Sequence, residues 1–129
     1  MPHHAHGTFT VKMEPESSAP AEGLTVYSMD KQFQGDLVGS SKGEMIGAGD
    51  YKLGTAGYVA IEFVTGKLDG KTGGFALQQM ATMDASGPKM QVVVTPGSGT
   101  RELKGILGVF TISIEKGQHS YELEYSLPE

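Results

Sequence analysis

The chain of 129 residues contains no cysteine, no tryptophan and no asparagine. Without cysteine there is no disulfide framework, no thiol nucleophile and no thiolate metal site. A disulfide-free chain fits a reducing compartment. Met1-Pro2-His3-His4-Ala5-His6 is not followed by the apolar run that a secretory signal needs, so the expected location is the cytoplasm. No stretch reaches the ~20 apolar residues of a membrane helix, and no membrane partner is expected. Cations are few and scattered: 10 Lys and Arg stand against 15 Asp and Glu, for a net charge of −5. Neutralising phosphates takes clustered cations, so nucleic acid is not an expected partner either. The hydrophobic share of 38% is lean but sufficient for one core. The length suits one domain over residues 1–129.

What the chain does have is glycine and alternation. Nineteen residues are glycine, about twice the usual share of ~7%. They are spread without a period, as suits many tight turns. Phe9, Val11 and Met13 fall on one strand face, with Thr8, Thr10 and Lys12 on the other. Similar runs occupy residues 24–34, 56–65, 75–83, 89–95, 109–115 and 120–127. Residues 35–49 read as one strand broken by Gly39 and Gly43. About eight strands with short links predict an all-β fold, a closed antiparallel barrel built from hairpins. No segment reads as a convincing amphipathic helix.

Two features stand out within this pattern. Residues 65–75 align without a gap to residues 100–110 in the form T-x-x-L-x-G-x-x-G-x-F. Each copy is expected to end one strand, turn on glycine and start the next strand on an inward aromatic, Phe75 or Phe110. The second feature is a strand apolar on both faces. Val59, Ile61 and Phe63 lie on one side, with Tyr58, Ala60 and Val64 on the other; residues 90–95 behave similarly. A barrel strand with water outside should alternate cleanly, so the outer face is expected to be covered by another subunit of a homo-oligomer.

Candidate functional residues are few. Glu62 is a carboxylate in an otherwise apolar strand. Pairing about the link 66–74 sets Glu62 opposite Gln78 and Ile61 opposite Gln79. If Val59, Ile61 and Phe63 point inward, Glu62 lies outside and Gln79 inside; a slip of one residue reverses the faces. Glu62 is either a buried acid or base, or a carboxylate ion-paired with Lys or Arg at a subunit contact. Gln79 could orient a ligand or be a core amide satisfied by backbone. Tyr121 and Tyr125, on the face with Leu123 and Leu127, and Tyr58 could line a pocket or be core with hydroxyls at the rim. His4 and His6 share a strand face and could chelate a metal with His3, or simply be solvated; His119 is the remaining histidine. The Gly97-Ser98-Gly99-Thr100-Arg101 segment lacks the ending of a phosphate loop and reads as a turn. Ser98 has no nucleophile elbow around it. Seven methionines could make a cavity adaptable or be ordinary filler.

Three segments carry a resemblance. They are Met1 to Val11, Glu62-Phe-Val-Thr-Gly-Lys-Leu-Asp-Gly-Lys-Thr-Gly-Gly-Phe-Ala-Leu-Gln-Gln79, and Pro96-Gly-Ser-Gly-Thr-Arg-Glu-Leu-Lys-Gly-Ile-Leu-Gly108. Over nearly the whole chain, this order resembles a set of small bacterial proteins known only as a domain of unknown function and grouped with the allene oxide cyclase-like barrels. The glycine-rich segment is also similar to the G-G-S/T-G-x-F turn of plant allene oxide cyclases and dirigent proteins. The resemblance implies an eight-stranded barrel with a central cavity, usually in an oligomer, and no established activity. The plant cyclases hold a water with a Glu, an Asn and a Cys. This chain lacks the last two, so those roles do not transfer.

Three functions follow as expectations. One is a non-enzymatic barrel holding a small hydrophobic or amphipathic ligand, with Gln79, Tyr58, Tyr121 and Tyr125 at the site and no cofactor. Another is a cofactor-free isomerase or cyclase using Glu62 as acid or base. The third is a purely structural oligomer.

Overall fold

The computed structural model describes residues 2–128, leaving Met1 and Glu129 outside the described residues. Among the described residues there are eight strands: β1 (His3–Pro15), β2 (Leu24–Gly35), β3 (Leu37–Asp50), β4 (Thr55–Leu68), β5 (Lys71–Asp84), β6 (Gly87–Val94), β7 (Leu107–Glu115) and β8 (Gln118–Ser126). Each pairs antiparallel with the next, and β8 returns to β1, closing a barrel. The path of paired residues from His4 runs through Glu124, Val109, Val93, Gln78, Ile61, Glu44 and Ser28. It comes back to β1 at Glu14, ten residues past its start. That stagger goes with strands tilted by about 35–45° and a lumen just wide enough for side chains or one small ligand.

Hairpin chemistry sets the register. The β4–β5 turn is Asp69-Gly70, with φ of 50° and 84°. Two consecutive positive φ values match the right-handed twist of the flanking strands, and Asp-Gly tolerates them best. Leu68 therefore pairs with Lys71, and the register carries through to Glu62 opposite Leu77 and Ala60 opposite Gln79. The turn is shorter than the link of residues 66–74 expected from the glycines. The pairing is thus one residue off the expected one. The apolar trio Val59, Ile61 and Phe63 faces outward, while Glu62 and Gln79 both face the interior.

Gly39 and Gly43 do not break β3. A Cβ at Gly43 would sit 2.1 Å from the Ile61 carbonyl oxygen and 2.6 Å from the Glu62 Cα. Glycine there lets β3 approach β4 closely along an unbroken ladder of 14 pairs.

The two repeat copies share positions but not structure. Leu68 and Leu103 are buried, as are Phe75 and Phe110, and Gly70 and Gly105 both take positive φ. Only the first copy is a hairpin. In the second, Thr100 follows a loop, a single 3-10 turn spans Arg101–Leu103, and Ile106 leads into β7. The loop docks on the first copy. Thr72 and Gly74 backbone N–H groups donate to Glu102 and Thr100 side chains at 2.8 and 2.9 Å, and Ala76 N–H to the Ser98 hydroxyl at 2.9 Å. Beyond the last β5–β6 pair, Leu77 with Val94, side chains of this loop thus satisfy the β5 edge. The Gly97–Arg101 segment is a structural edge cap.

The core sits at one end of the barrel. Phe33, Phe75, Phe110, Leu37, Leu68, Leu103, Ile106 and Leu123 are fully buried there. Phe110 stacks on Tyr121 at 5.4 Å and meets Phe33 edge-on at 6.2 Å, geometries that suit ring quadrupoles. The 3-10 turn with Leu103 plugs this closed end. No helix among the described residues is long and apolar enough to cross a membrane.

Candidate functional site

From the closed end upward, the inward face changes character. Above the aromatic core lies a polar layer. Glu62 of β4 is 3% exposed, and its two carboxylate oxygens accept from Lys31 Nζ of β2 and Ser41 Oγ of β3, each at 2.8 Å. Lys31 also lies 5.1 Å above the centre of the Phe9 ring. Buried charge is tolerated only when paired and hydrogen-bonded, and this pair satisfies both conditions. The carboxylate pairs with a lysine, as one of the expected alternatives had it, but within the barrel.

The next layer holds Gln79 of β5, buried, with its Nε2 donating to the Tyr58 hydroxyl of β4 and lying 3.6 Å from the Met90 sulfur. The Tyr58 oxygen accepts that bond, which leaves its own hydrogen free to donate. Burial pushes the Tyr58 phenol above its ordinary value, with the nearby Tyr51 adding to the shift. Tyr58 is therefore a neutral donor at pH 7.

Above this the barrel opens. Met13, Tyr27, Met45 and Tyr58 line a bowl of about 460 Å³ at the mouth, with Tyr51 and Lys52 at its rim. The inward positions at this end are rich in methionine. Register places Met13 beside Met29, Tyr27 beside Met45, and Met90 beside Ala81. Unbranched thioethers adapt their shape to a ligand. A second hollow of about 570 Å³ lies under the β7–β8 turn and reaches the inward-facing Phe9, Val11 and His119. Exposed Thr10, Gln32, Gln34 and Gln118 also line it, where β8 begins and β1 runs on past the last β1–β8 pair. The mouth bowl, largely apolar and with the Gln79-bonded Tyr58 hydroxyl in its wall, is the better candidate site.

The structure separates the tyrosines that the sequence grouped. Tyr58 lines the bowl. Tyr121 and Tyr125 are buried at the closed end, away from it. The Tyr121 hydroxyl accepts from Leu37 N–H at 2.9 Å and sits 3.0 and 3.2 Å from the Gln34 and Leu37 carbonyls, fastening the β2–β3 turn. The Tyr125 hydroxyl donates to Asp69 at the β4–β5 turn. Burial raises both phenols above their ordinary value, and the Asp69 carboxylate adds to the rise at Tyr125.

The histidines diverge. His4 approaches Glu122 and His6 approaches Asp36, each at 3.8 Å, while His3 stacks on Tyr125 and His119 packs on Phe9. Among the described residues no three His, Asp or Glu side chains converge as metal ligands. Sequence reasoning missed Lys31, Ser41, Tyr27 and the methionine positions. Lys31 reads as an ordinary surface lysine until its parity with Met29 and Phe33 is noticed.

A closed antiparallel barrel, packed at one end and open at the other over a buried ion pair, is the class of protein that this fold and site define. The chain belongs to the DUF3224 family of proteins of unknown function, whose model matches residues 5–125. It is similar to a DUF3224 protein of unknown function from Shewanella oneidensis MR-1, known from a crystal structure. The two are 41% identical, the match covers 100% of this chain and 99% of that one, and the TM-score is 0.92. No curated protein matches the chain. Family and solved relative alike carry no activity to transfer, and neither is described as a cyclase.

Proposed function

We propose that the protein is a non-enzymatic binding barrel that takes one small, largely apolar molecule into the bowl at its open end. The observation that carries this reading is the division of the lumen. One end of it is filled by buried aromatic and branched side chains, and the other is a bowl of about 460 Å³ with Met13, Met45, Tyr27 and Tyr58 in its wall. That volume lies within the range of small-molecule sites, ~300–1,000 Å³. Met13 and Met45 would supply adaptable apolar contact, and Tyr58, held by Gln79, would give one directed hydrogen bond to a ligand acceptor. An amphipathic molecule with a single carbonyl, ether or hydroxyl oxygen at one end suits this arrangement.

The second reading, a cofactor-free isomerase with Glu62 as acid or base, draws support from the carboxylate's interior position. Against it, both carboxylate oxygens are already engaged by Lys31 and Ser41, and Glu62 does not line the bowl.

Native mass spectrometry of freshly purified protein, repeated after denaturation, tests the binding reading. A small-molecule mass is expected that vanishes on denaturation and is absent from Met45→Arg, whose side chain fills the bowl. Adduct-free protein that also shows no saturable binding of medium-chain alcohols or fatty acids would overturn the proposal.

A further inference from the structure

We propose that Met13, Met29 and Met45 form a thioether site for one Cu(I) ion at the floor of the bowl. The three recur at equal intervals along the chain, one on each of β1, β2 and β3. β2 lies between the other two strands. Met13 pairs directly with Met29, and Met29 is the diagonal neighbour of Met45 through the pairs Tyr27–Met45 and Met29–Gly43. All three share the inward face: Met29 is buried, and Met13 and Met45 line the bowl. Directly opposed residues on one sheet face have Cβ atoms about 4.5–5.5 Å apart, and diagonal ones up to about 7–8 Å. Unbranched side chains with three rotatable bonds reach a common point from such positions. Gly43, the pair of Met29 on β3, adds no side chain to the space beside it.

The chemistry of the donors selects the ion. Thioethers are soft, neutral ligands that suit Cu(I), whereas Ca²⁺ and Mg²⁺ take oxygen ligands. Among the described residues lining the bowl, Asp50 is the one carboxylate, and it caps the 3-10 turn by accepting from the Lys52 N–H at 2.8 Å. Below the triad the Lys31 ammonium is balanced by Glu62 at 2.8 Å, so a monovalent cation meets no unpaired charge there. Filling space does not require methionine in this barrel. The core cluster at the closed end is built mainly from branched and aromatic side chains and contains no methionine. Thioethers gather instead at the open end, on adjacent strands. The proposal does not rest on an organic ligand, because Met29, its central donor, lies beneath the bowl and does not line it.

Anaerobic titration of the full chain against Cu(I) held by a chromophoric chelator reads the affinity. One Cu(I) per chain is expected. Met29→Leu nearly conserves volume, so the fold is expected to survive it. Even a hydrogen-bond partner behind a metal ligand is worth about 10–100-fold in affinity, so losing a direct donor should weaken binding at least about tenfold. Met13→Leu and Met45→Leu are expected to do the same. Met80→Leu, on the outer face, is expected to leave binding unchanged. If the leucine variants fail to fold, Ag(I) titration of wild type with isotope-labelled methionine methyl groups still decides. The resonances of Met13, Met29 and Met45 should shift together while that of Met80 stays in place. A wild type that takes up neither ion would overturn the proposal. So would an affinity that survives replacement of all three methionines. An affinity lost instead when His3, His4 and His6 become alanine would overturn it in favour of the N-terminal histidines.

Discussion

The two ends of the lumen are built from the same eight strands, yet they solve different problems. At the closed end, branched and aromatic side chains interlock with little freedom: Leu37, Leu68, Leu103, Phe110 and Leu123 are buried completely or nearly so. At the open end the same inward positions carry Met13, Met45, Tyr58 and glycine, and a bowl remains. One end holds the barrel together, and the other is spared that duty. A stable wall with an under-filled mouth is the division expected of a scaffold that presents a site.

The sharpest test of this contrast removes volume at each end. Phe110→Ala should cost about 4 kcal/mol, because the Phe33, Phe9 and Tyr121 rings around it cannot collapse into the gap. Urea denaturation followed by circular dichroism measures it. A cost below about 1 kcal/mol would mean that the closed end is as loose as the mouth.

The boundary between the ends is the Lys31–Glu62–Ser41 layer. Glu62→Leu leaves an unpaired buried ammonium and should lose about 3 kcal/mol. The double change Lys31→Met with Glu62→Leu should recover most of that, since a packed apolar pair often matches a buried ion pair. If the double variant is as unstable as the single one, the layer contributes more than charge balance. An acid–base role for Glu62 would then regain weight.

The tyrosines extend the comparison to pH. Burial raises the phenols of Tyr121 and Tyr125 at the closed end and Tyr58 at the open end. A group whose folded pKa is raised binds its proton more tightly when folded. Its contribution is therefore complete below about pH 10, the unfolded value, and is lost as pH climbs through the folded one. Stability should hold to about pH 10 and then fall. Tyr125→Phe should lessen the fall, since Tyr125 carries the largest rise and faces Asp69. Tyr121→Phe should cost about 1–2 kcal/mol at neutral pH, because Leu37 N–H loses its buried acceptor. An alkaline profile unchanged in Tyr125→Phe would show that another group sets it.

Much of the fold was legible because alternation and turn residues state it directly. The strand count, the closed barrel and the inward Phe75 and Phe110 follow from period-2 patterning and glycine. The faces of β4 were not legible, because Val59, Ile61 and Phe63 look like a core. Only the two-residue Asp69-Gly70 turn fixes the parity, and a shift of one residue inverts every side chain. Glu62 stood out as a carboxylate among apolar residues. Its partners Lys31 and Ser41 come from other strands, and only closure of the barrel brings them together. The second repeat copy misled for a related reason. It keeps the buried leucine and phenylalanine of the first, but residues 95–104 cap an edge of β5 in place of turning a hairpin.

The smallest effect on stability should accompany the largest effect on binding. Met45 lines the bowl beside Tyr27 and is only partly buried. Met45→Ala should cost less than about 1 kcal/mol, since water already reaches the space it leaves. Tyr58→Phe should cost about 1 kcal/mol, because the buried Gln79 amide beneath it loses its hydroxyl acceptor. In binding the order reverses. Both changes fall on the wall that a ligand would touch, whereas Phe110→Ala, assayed where it remains folded, should leave affinity intact. Calorimetric titration with whichever molecule co-purifies would compare the three variants directly. Affinity lost in Phe110→Ala and kept in Met45→Ala and Tyr58→Phe would place the site at the closed end and reverse the assignment of the two halves.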